Sequence, residues 1–208
     1  MNEKPILFNS EMVQAILSGR KTMTRRIMRD QPEVIPPEDE CGVPGYWIPY
    51  NAGKTMVRNE MMTIACPLGA VGDQLWVREC FRVHSRATDV ATLVYRASER
   101  NSWTEQTRRV PVSDCNRPVS PEKWTPSIHM PRWVSRINLL ITGVRVERLQ
   151  AITLGDICKE IGCGLYDFRP ATYGFQVWEK LWKSIYGEEN WEANPWVWVI
   201  NFERMEAK

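Results

Sequence analysis

The stretch Ala15-Ile16-Leu17-Ser18-Gly19-Arg20-Lys21-Thr22-Met23-Thr24-Arg25-Arg26 joins a helix signal directly to a cluster of basic residues. Asn9 and Ser10 are good N-caps, and Gly19 is suited to end a helix, so we expect a helix over about 10–18. Its apolar positions have helical spacing: Met12, Val13, Ile16 and Leu17. The alternation and β-branching over 22–27 predict a strand that follows at once.

This strand would place Thr24 and Arg26 on one face, with Lys21 at the turn before it. Lys21 and Thr24 can then meet only if the chain bends at residues 20–21, or if the lysine side chain curls back. A segment with this many basic residues is either an anion-binding site or a solvent-exposed turn after the helix. In the second interpretation, Arg20 and Lys21 are exposed cations that suit the negative end of the preceding helix.

The composition is that of a soluble globular protein, with 208 residues, 43% hydrophobic and 25% charged. The formal net charge is only +2, so nucleic-acid binding would need local clusters of charge. No signal peptide or membrane-spanning apolar run is present, which predicts a cytoplasmic protein without a membrane partner. The six cysteines form no CxxC pair, so we expect reduced thiols. We expect neither a metal nor a cofactor, although a zinc site that includes Cys158 and Cys163 is conceivable.

The remaining elements predict an α+β fold. The expected strands are 74–79, 91–96, 137–142, 144–149 (with a bulge or bend at Gly143) and 196–202. Helices are expected from Thr153 to Gly162 and over 175–186, with the tryptophans of the C-terminal region in the core. Two polar, Pro-rich stretches, about 31–65 and 97–131, are predicted to be insertions. The first holds a hairpin with arms at 46–48 and 61–64, and the second is a long loop without a core of its own.

Gly19, Lys21, Thr24 and Arg26 fit, without a gap, the signature Gly-x-Lys-x-x-(Thr/Glu)-x-Arg of the ASCH superfamily, which the chain therefore resembles. The order of the later elements is also similar. The resemblance implies one PUA-like domain over 1–208: a small mixed β-barrel flanked by helices, with the two insertions added. The whole chain looks most like the longer ASCH proteins of phages and prophages.

The opening residues are similar, almost position for position, to those of the small bacterial N4-acetylcytidine amidohydrolases of this superfamily. This resemblance implies that Lys21, Thr24 and Glu160 are catalytic. Thr24 would supply a hydroxyl and Lys21 would take its proton, provided that burial lowers the pKa of the lysine toward neutrality. Arg26 would hold an anion or a carbonyl oxygen. Glu160 would orient the lysine or donate a proton to the leaving amine.

Several further residues are candidates for substrate binding. Arg20 is basic and adjoins the motif, Glu79 is a reserve carboxylate for Lys21 or Arg26, and Arg132 and Trp133 are suited to stack on a base. Each also has a structural interpretation: a solvated cation, an ion pair with an arginine, or the start of a core strand.

Two other functions stay open. One is an RNA-binding module that contacts phosphates through Arg20, Lys21, Arg25 and Arg26. The other is a phage accessory protein that binds a host protein through 97–131. A buried cluster of Lys21, Thr24 and Glu160 would favour the enzyme, an exposed basic strip would favour RNA, and exposed apolar surface on the insertion would favour the host partner.

Overall fold

The computed structural model describes residues 2–35, 45–50, 55–58, 66–164, 167–168 and 171–205. Its helices are α1 (Ser10–Leu17), α2 (Trp103–Gln106), α3 (Leu154–Ile161), α4 (Ala171–Tyr186) and α5 (Glu188–Glu192). Its strands are β1 (Glu3–Leu7), β2 (Met23–Ile27), β3 (Glu33–Ile35), β4 (Gly45–Tyr50), β5 (Thr55–Arg58), β6 (Gln74–Arg78), β7 (Phe81–Arg86), β8 (Val90–Tyr95), β9 (Thr107–Pro111), β10 (Asn138–Arg148) and β11 (Trp196–Arg204). The fold is therefore α+β, as predicted.

Five strands form the central sheet, in the order β1-β6-β10-β11-β2. β1 runs parallel to β6, and the other neighbours are antiparallel. The prediction of two strands within 137–149 is wrong, because one eleven-residue strand, β10, spans the region. The predicted irregularity at Gly143 is confirmed as a shift of register against β11. Among the described residues this sheet is open, with β1 and β2 at its edges, and does not close into a barrel.

The central sheet is covered on both faces, which explains why β11 is apolar at successive positions. Trp198 and Ile200 pack with α1 in one buried cluster. Val197 and Val199 pack against α3 and α4 in a second cluster. The second cluster contains the buried Trp178 and Trp182, which confirms that these C-terminal tryptophans belong to the core.

The predicted insertion over 31–65 contributes a separate three-stranded sheet, in the order β3-β4-β5. The predicted hairpin arm at 46–48 is part of β4, which pairs with β3 and β5. The other predicted arm, 61–64, lies outside the described residues.

The prediction that 97–131 lacks a core is wrong. Its strand β9 pairs with β8 to complete the sheet β7-β8-β9. Val110, Cys115 and Met130 are buried in a third apolar cluster with Phe81 and Tyr95. The polar composition was misleading because alternate residues of these strands face outward. No helix in the described parts of the chain has the length and apolar character needed to cross a membrane.

Candidate functional site

The basic motif begins where α1 stops, as predicted. Gly19 adopts φ +72°, the left-handed conformation that ends a helix, and has nothing within 4 Å of the position a Cβ would take. The backbone N–H groups of Arg20 and Lys21 both donate to the carbonyl of Ala15, at 2.8 and 3.0 Å. The chain therefore bends sharply at 20–21, which is the bend that brings Lys21 back toward the sheet.

Three consecutive motif residues donate to the C-terminal carbonyls of α3. The Arg20 guanidinium donates to the carbonyl of Gly162 at 2.8 Å, and the Thr22 N–H donates to that of Lys159 at 3.1 Å. The Lys21 ammonium donates to the carbonyl of Glu160. The last carbonyls of a helix have no partners within the helix, and cations there also suit its dipole. The side chains of Arg20 and Lys21 thus cap α3, about 140 residues away, whereas their backbone N–H groups cap α1, the helix that they follow.

Lys21 is buried, with 2% of its surface exposed, so the interpretation of Lys21 as a solvent-exposed cation is wrong. Its ammonium also donates to the carbonyl of Met23 at 2.7 Å and lies 3.4 Å from Glu160 Oε1. Burial lowers the pKa of Lys21 from 10.5 to about 8; the charge of Glu160 opposes this fall, and Arg26 adds to it. With this pKa the lysine is mostly charged at neutral pH and mostly neutral above pH 8, so it can exchange a proton close to neutrality.

Glu160 is 3% exposed and binds two parts of the motif at once. Its Oε1 accepts from the backbone N–H of Arg25 at 3.0 Å, in addition to its contact with Lys21. β2 is an edge strand and this N–H points away from β11, so it needs a hydrogen-bond acceptor from outside the sheet. Its Oε2 is buried 3.5 Å from Arg25 Nη1, without a well-directed hydrogen bond among the described residues. The helix position predicted for the glutamate is therefore the one that meets Lys21.

A second buried cation, Arg25, was missed as part of this cluster. It is fully buried and forms ion pairs with Glu147 and, at 3.2 Å, with Asp156. Arg145 joins the same two carboxylates, at 2.6 Å from Asp156 and 3.2 Å from Glu147. The signal in the sequence was weak. Asp156 and Glu160 lie four residues apart on α3, and therefore share a face of the helix.

The side chain of Thr24 lies on the face of β2 opposite to that of Arg25 and is fully buried. Its Oγ1 accepts from Arg26 Nη1 at 2.9 Å, which confirms that the two residues share a face. The other arm of Arg26 donates to the carbonyl of Leu7 at 2.9 Å, and its guanidinium lies 5.3 Å from the ring of Phe8. Thr24 Oγ1 is not among the hydrogen-bond partners of Lys21 within the described residues.

Two surface cavities are lined in part by members of this cluster, Arg26 and Glu160, whereas Lys21 and Thr24 line neither. One, of about 380 Å³, is lined by Leu7, Phe8, Asn9, Met12, Arg26, Ser127, Ile185 and Tyr186. The other, of about 180 Å³, is lined by Asn9, Glu11, Met12, Glu160, Ile161, Val177 and Leu181. Asn9 and Met12 line both cavities, which are therefore neighbours. Arg26 faces the larger one and Glu160 the smaller one.

The other predicted binding residues are engaged elsewhere. Glu79 is buried and holds Arg136 through two hydrogen bonds, at 2.8 and 3.0 Å; its ion-pair partner is neither Lys21 nor Arg26. Burial raises the pKa of Glu79, and Arg136 opposes this rise. Arg132 pairs with Glu3 at 2.9 Å, and Trp133 packs against the third cluster. None of the three predicted residues lines either of the cavities that Arg26 and Glu160 line.

Comparison with protein-family models, with curated proteins and with solved structures finds no match to this chain. No group of three or more His, Cys, Asp or Glu side chains arranged to hold a metal ion occurs in the parts of the chain that the structure describes. The buried cluster combines a lysine of lowered pKa, a carboxylate, a hydroxyl and an arginine beside two cavities.

Proposed function

We propose that this chain is an ASCH-type, PUA-like protein that hydrolyses the amide bond of an acylated nucleoside, with N4-acetylcytidine as the first candidate. The observation that carries the proposal is the buried pair of Lys21 and Glu160, in which the lysine has a pKa of about 8. A lysine of this kind is suited to act as a general base. The motif of Gly19, Lys21, Thr24 and Arg26 supports the family assignment, whereas the open central sheet departs from the barrel of that family.

In the proposed reaction, neutral Lys21 leaves its carbonyl partners, turns to Thr24 and takes the hydroxyl proton while Thr24 Oγ attacks the acyl carbonyl carbon. The carbonyl π electrons move onto oxygen, and the guanidinium of Arg26 holds the resulting oxyanion. Arg26 already donates to Thr24 Oγ1, so a small shift would transfer this donor to the substrate. The C–N bond then breaks, and the leaving nitrogen receives the proton from Lys21. Water hydrolyses the threonyl ester in the same way and releases the carboxylic acid.

Glu160 acts on Lys21 in this proposal. It holds the ammonium through both its carboxylate and its backbone carbonyl, and it fixes the β2 backbone through the N–H of Arg25. Burial lowers the pKa of Lys21, and the negative charge of Glu160 limits this fall because it opposes the loss of the lysine proton. The substrate would enter through the cavity of about 380 Å³, where Phe8 and Tyr186 offer aromatic rings beside Arg26.

Burial also weighs against the RNA-binding alternative at this motif. Lys21 and Arg25 are both buried, which leaves only Arg20 and Arg26 of the four proposed phosphate contacts at a surface. The host-partner alternative is supported by exposed apolar side chains on 97–131, namely Trp103, Val119 and Ile128. Single exposed apolar side chains are common on protein surfaces, so this support is weaker than that from the buried cluster.

The test is release of cytidine from N4-acetylcytidine by the purified protein, followed by chromatography. We expect Lys21→Ala and Thr24→Val each to lower kcat by about 100-fold or more, since general bases contribute on that order. Lys180→Ala, which removes an exposed lysine of α4, is the matched control and should leave the rate unchanged. The rate should rise with pH and level off above about 8, because the base is the neutral lysine. Full activity of Thr24→Val, or no cytidine release at high enzyme concentration, would refute the proposal.

A further inference from the structure

The last turn of α3 holds two cysteines side by side, Cys158 and Cys163. The backbone N–H groups of Gly162 and Cys163 both donate to the carbonyl of Cys158, at 2.7 and 3.1 Å. The second of these bonds keeps the Cα atoms of the two cysteines within about 7 Å of each other, the outer limit for a disulfide. Gly162 has φ +84°, and in helix ends of this kind the first and last side chains of the turn commonly pack together.

The two thiols are in contact with each other. Burial raises the pKa of Cys163 to about 12, and a hydrogen bond with the thiol of Cys158 adds to this rise, as does the charge of Asp167. Both thiols are free, and they pack in the second apolar cluster. The other buried cysteines of the described residues, Cys66 and Cys115, belong to the other two apolar clusters. Cys158 and Cys163 are thus a pair of thiols that are neighbours in space.

The turn between the two cysteines carries the part of α3 that the basic motif binds. Lys159, Glu160 and Gly162 supply the three backbone carbonyls that accept from the motif. The carboxylate of Glu160 belongs to the same turn and contacts the ammonium of Lys21. A bond between the two thiols would therefore close a ring of residues 158–163 that contains all of these acceptors.

We propose that Cys158 and Cys163 form a reversible disulfide that locks the last turn of α3 against the basic motif. The oxidant is a low-molecular-weight disulfide. Cys163 is half-buried whereas Cys158 is only 7% exposed, so Cys163 reacts first. Its thiolate attacks one sulfur of the small disulfide, whose S–S bond breaks. One small thiolate leaves, and a mixed disulfide remains on Cys163.

The second step uses the neighbouring thiol. Cys158 gives up its proton, and its sulfur attacks Cys163 Sγ. The bond to the small molecule breaks, the bond between the two cysteines forms, and the second small thiolate leaves with the proton. In total the cysteines lose two protons and two electrons, and the small disulfide is reduced to two thiols. The raised pKa of Cys163 keeps its thiolate scarce near neutral pH, so we expect the reaction to take hours.

The disulfide would act at the end of a helix, where local opening is easiest. Helix ends open at a lower free-energy cost than helix centres, and an open end would release the carbonyls that hold Lys21. The closed ring restricts the unfolded chain and keeps the ends of this turn together. Oxidation should therefore hold the acceptors of the motif in place. This inference is independent of the proposed hydrolysis, because its readouts need no substrate.

The test is incubation of the purified protein with glutathione disulfide, blocking of free thiols with iodoacetamide, and mass spectrometry of a trypsin digest without reductant. Trypsin cleaves after Lys159, so the proposed disulfide joins the peptide that ends at Lys159 to the one that begins at Glu160. We expect these linked peptides, and dithiothreitol should separate them. Cys158→Ala should instead keep glutathione on Cys163, because the second step then has no thiol.

Two further measurements detect the lock itself. Oxidation should raise the Tm of the wild type by about 5 °C, as expected for so short a ring in a chain of this size. Hydrogen exchange of the Thr22 N–H, which donates to the carbonyl of Lys159, should slow at least about tenfold. Neither change should occur in Cys163→Ser treated in the same way.

The matched control is Cys80→Ser, which removes another half-buried cysteine. It should form the linked peptides and show the same gain in Tm as the wild type. The proposal is overturned if the wild type forms no linked peptides, if it keeps glutathione on Cys163, or if the links join other cysteines. It is also overturned if the disulfide forms but leaves either the Tm or the exchange of Thr22 unchanged, since the turn would then not be locked.

Discussion

Raising the pH should discharge Lys21 at a lower pH than an unperturbed lysine. Its pKa falls from 10.5 to about 8 in the folded protein, mainly through burial. This difference corresponds to about 3 kcal/mol between the charged and neutral forms. Below pH 8 the lysine is charged in both the folded and the unfolded state, and the folded state bears the whole cost of burying the charge. Between pH 8 and 10.5 the folded state loses the proton first, so its stability relative to the unfolded state rises.

The magnitude follows from the same two pKa values. At pH 9 the contribution of Lys21 to the free energy of unfolding should be about 1 to 2 kcal/mol higher than at pH 7. Urea unfolding of the wild type and of Lys21→Met at both pH values isolates this contribution, since all other titrating groups are shared. We expect the wild type to gain stability relative to the variant as the pH rises. A difference between the two proteins that does not change with pH would refute the reasoning.

A direct measurement is NMR of protein labelled at lysine Cε. The resonance that is lost in Lys21→Met should titrate near pH 8. The resonance of Lys183 should titrate at higher pH, because its contacts with Glu179 and Glu188 raise its pKa. In Glu160→Gln the pKa of Lys21 should fall further, because the charge of Glu160 raises it while the amide oxygen can still accept from Arg25. Glu189→Gln, an exposed glutamate of α5, is the control and should leave the titration in place. A Lys21 midpoint at 10 or above would show that the lysine is solvated.

Two stability predictions follow from the packing around the motif. Arg25→Met should destabilise the protein by up to about 3 to 5 kcal/mol in urea unfolding, because it removes the buried cation that Glu147, Asp156 and Glu160 share. Arg145 and Lys21 remain as partners of these carboxylates, and a loss below about 1 kcal/mol would show that they replace Arg25. Gly162→Ala should cost about 1 to 3 kcal/mol, since φ is +84° and the new Cβ would lie 2.7 Å from that of Ala15. Gly155→Ala, inside α3 with its nearest neighbour at 3.9 Å, should instead be neutral or stabilising by up to about 1 kcal/mol, and equal losses in both variants would contradict the argument.

The local signals in the sequence predicted the ends of the elements well. Asn9 caps α1 by accepting from the N–H of Met12, and Thr153 caps α3 by accepting from that of Asp156. Gly19 and Gly162 end these helices with positive φ values. Such signals involve residues within one helical turn of each other, so they are visible without knowledge of the fold.

The sequence could not show which elements pack together. The sequence around Arg25 is typical of an exposed cation on an edge strand. Its burial depends on Glu147 and Asp156, which lie more than 120 residues later in the chain. Strand β7 was missed because four of its six residues are polar, and only Phe81 and Val83 are apolar and buried. The meeting of Lys21 with Glu160 was predicted only through the resemblance to ASCH proteins, since nothing in the spacing of the residues fixes that contact.

The capping of α3 by the motif has a consequence for synthesis of the chain. Arg20, Lys21 and Thr22 leave the ribosome early, but their partners on α3 follow about 140 residues later. At roughly 5 to 20 residues per second, the lysine waits about 7 to 30 seconds for its partner. During that interval Lys21 has neither its carboxylate nor its burial, so its pKa is that of a free lysine. The base that the proposed reaction needs is therefore made by the last third of the polypeptide, and a nascent chain that stalls before α3 carries the whole motif without its chemistry.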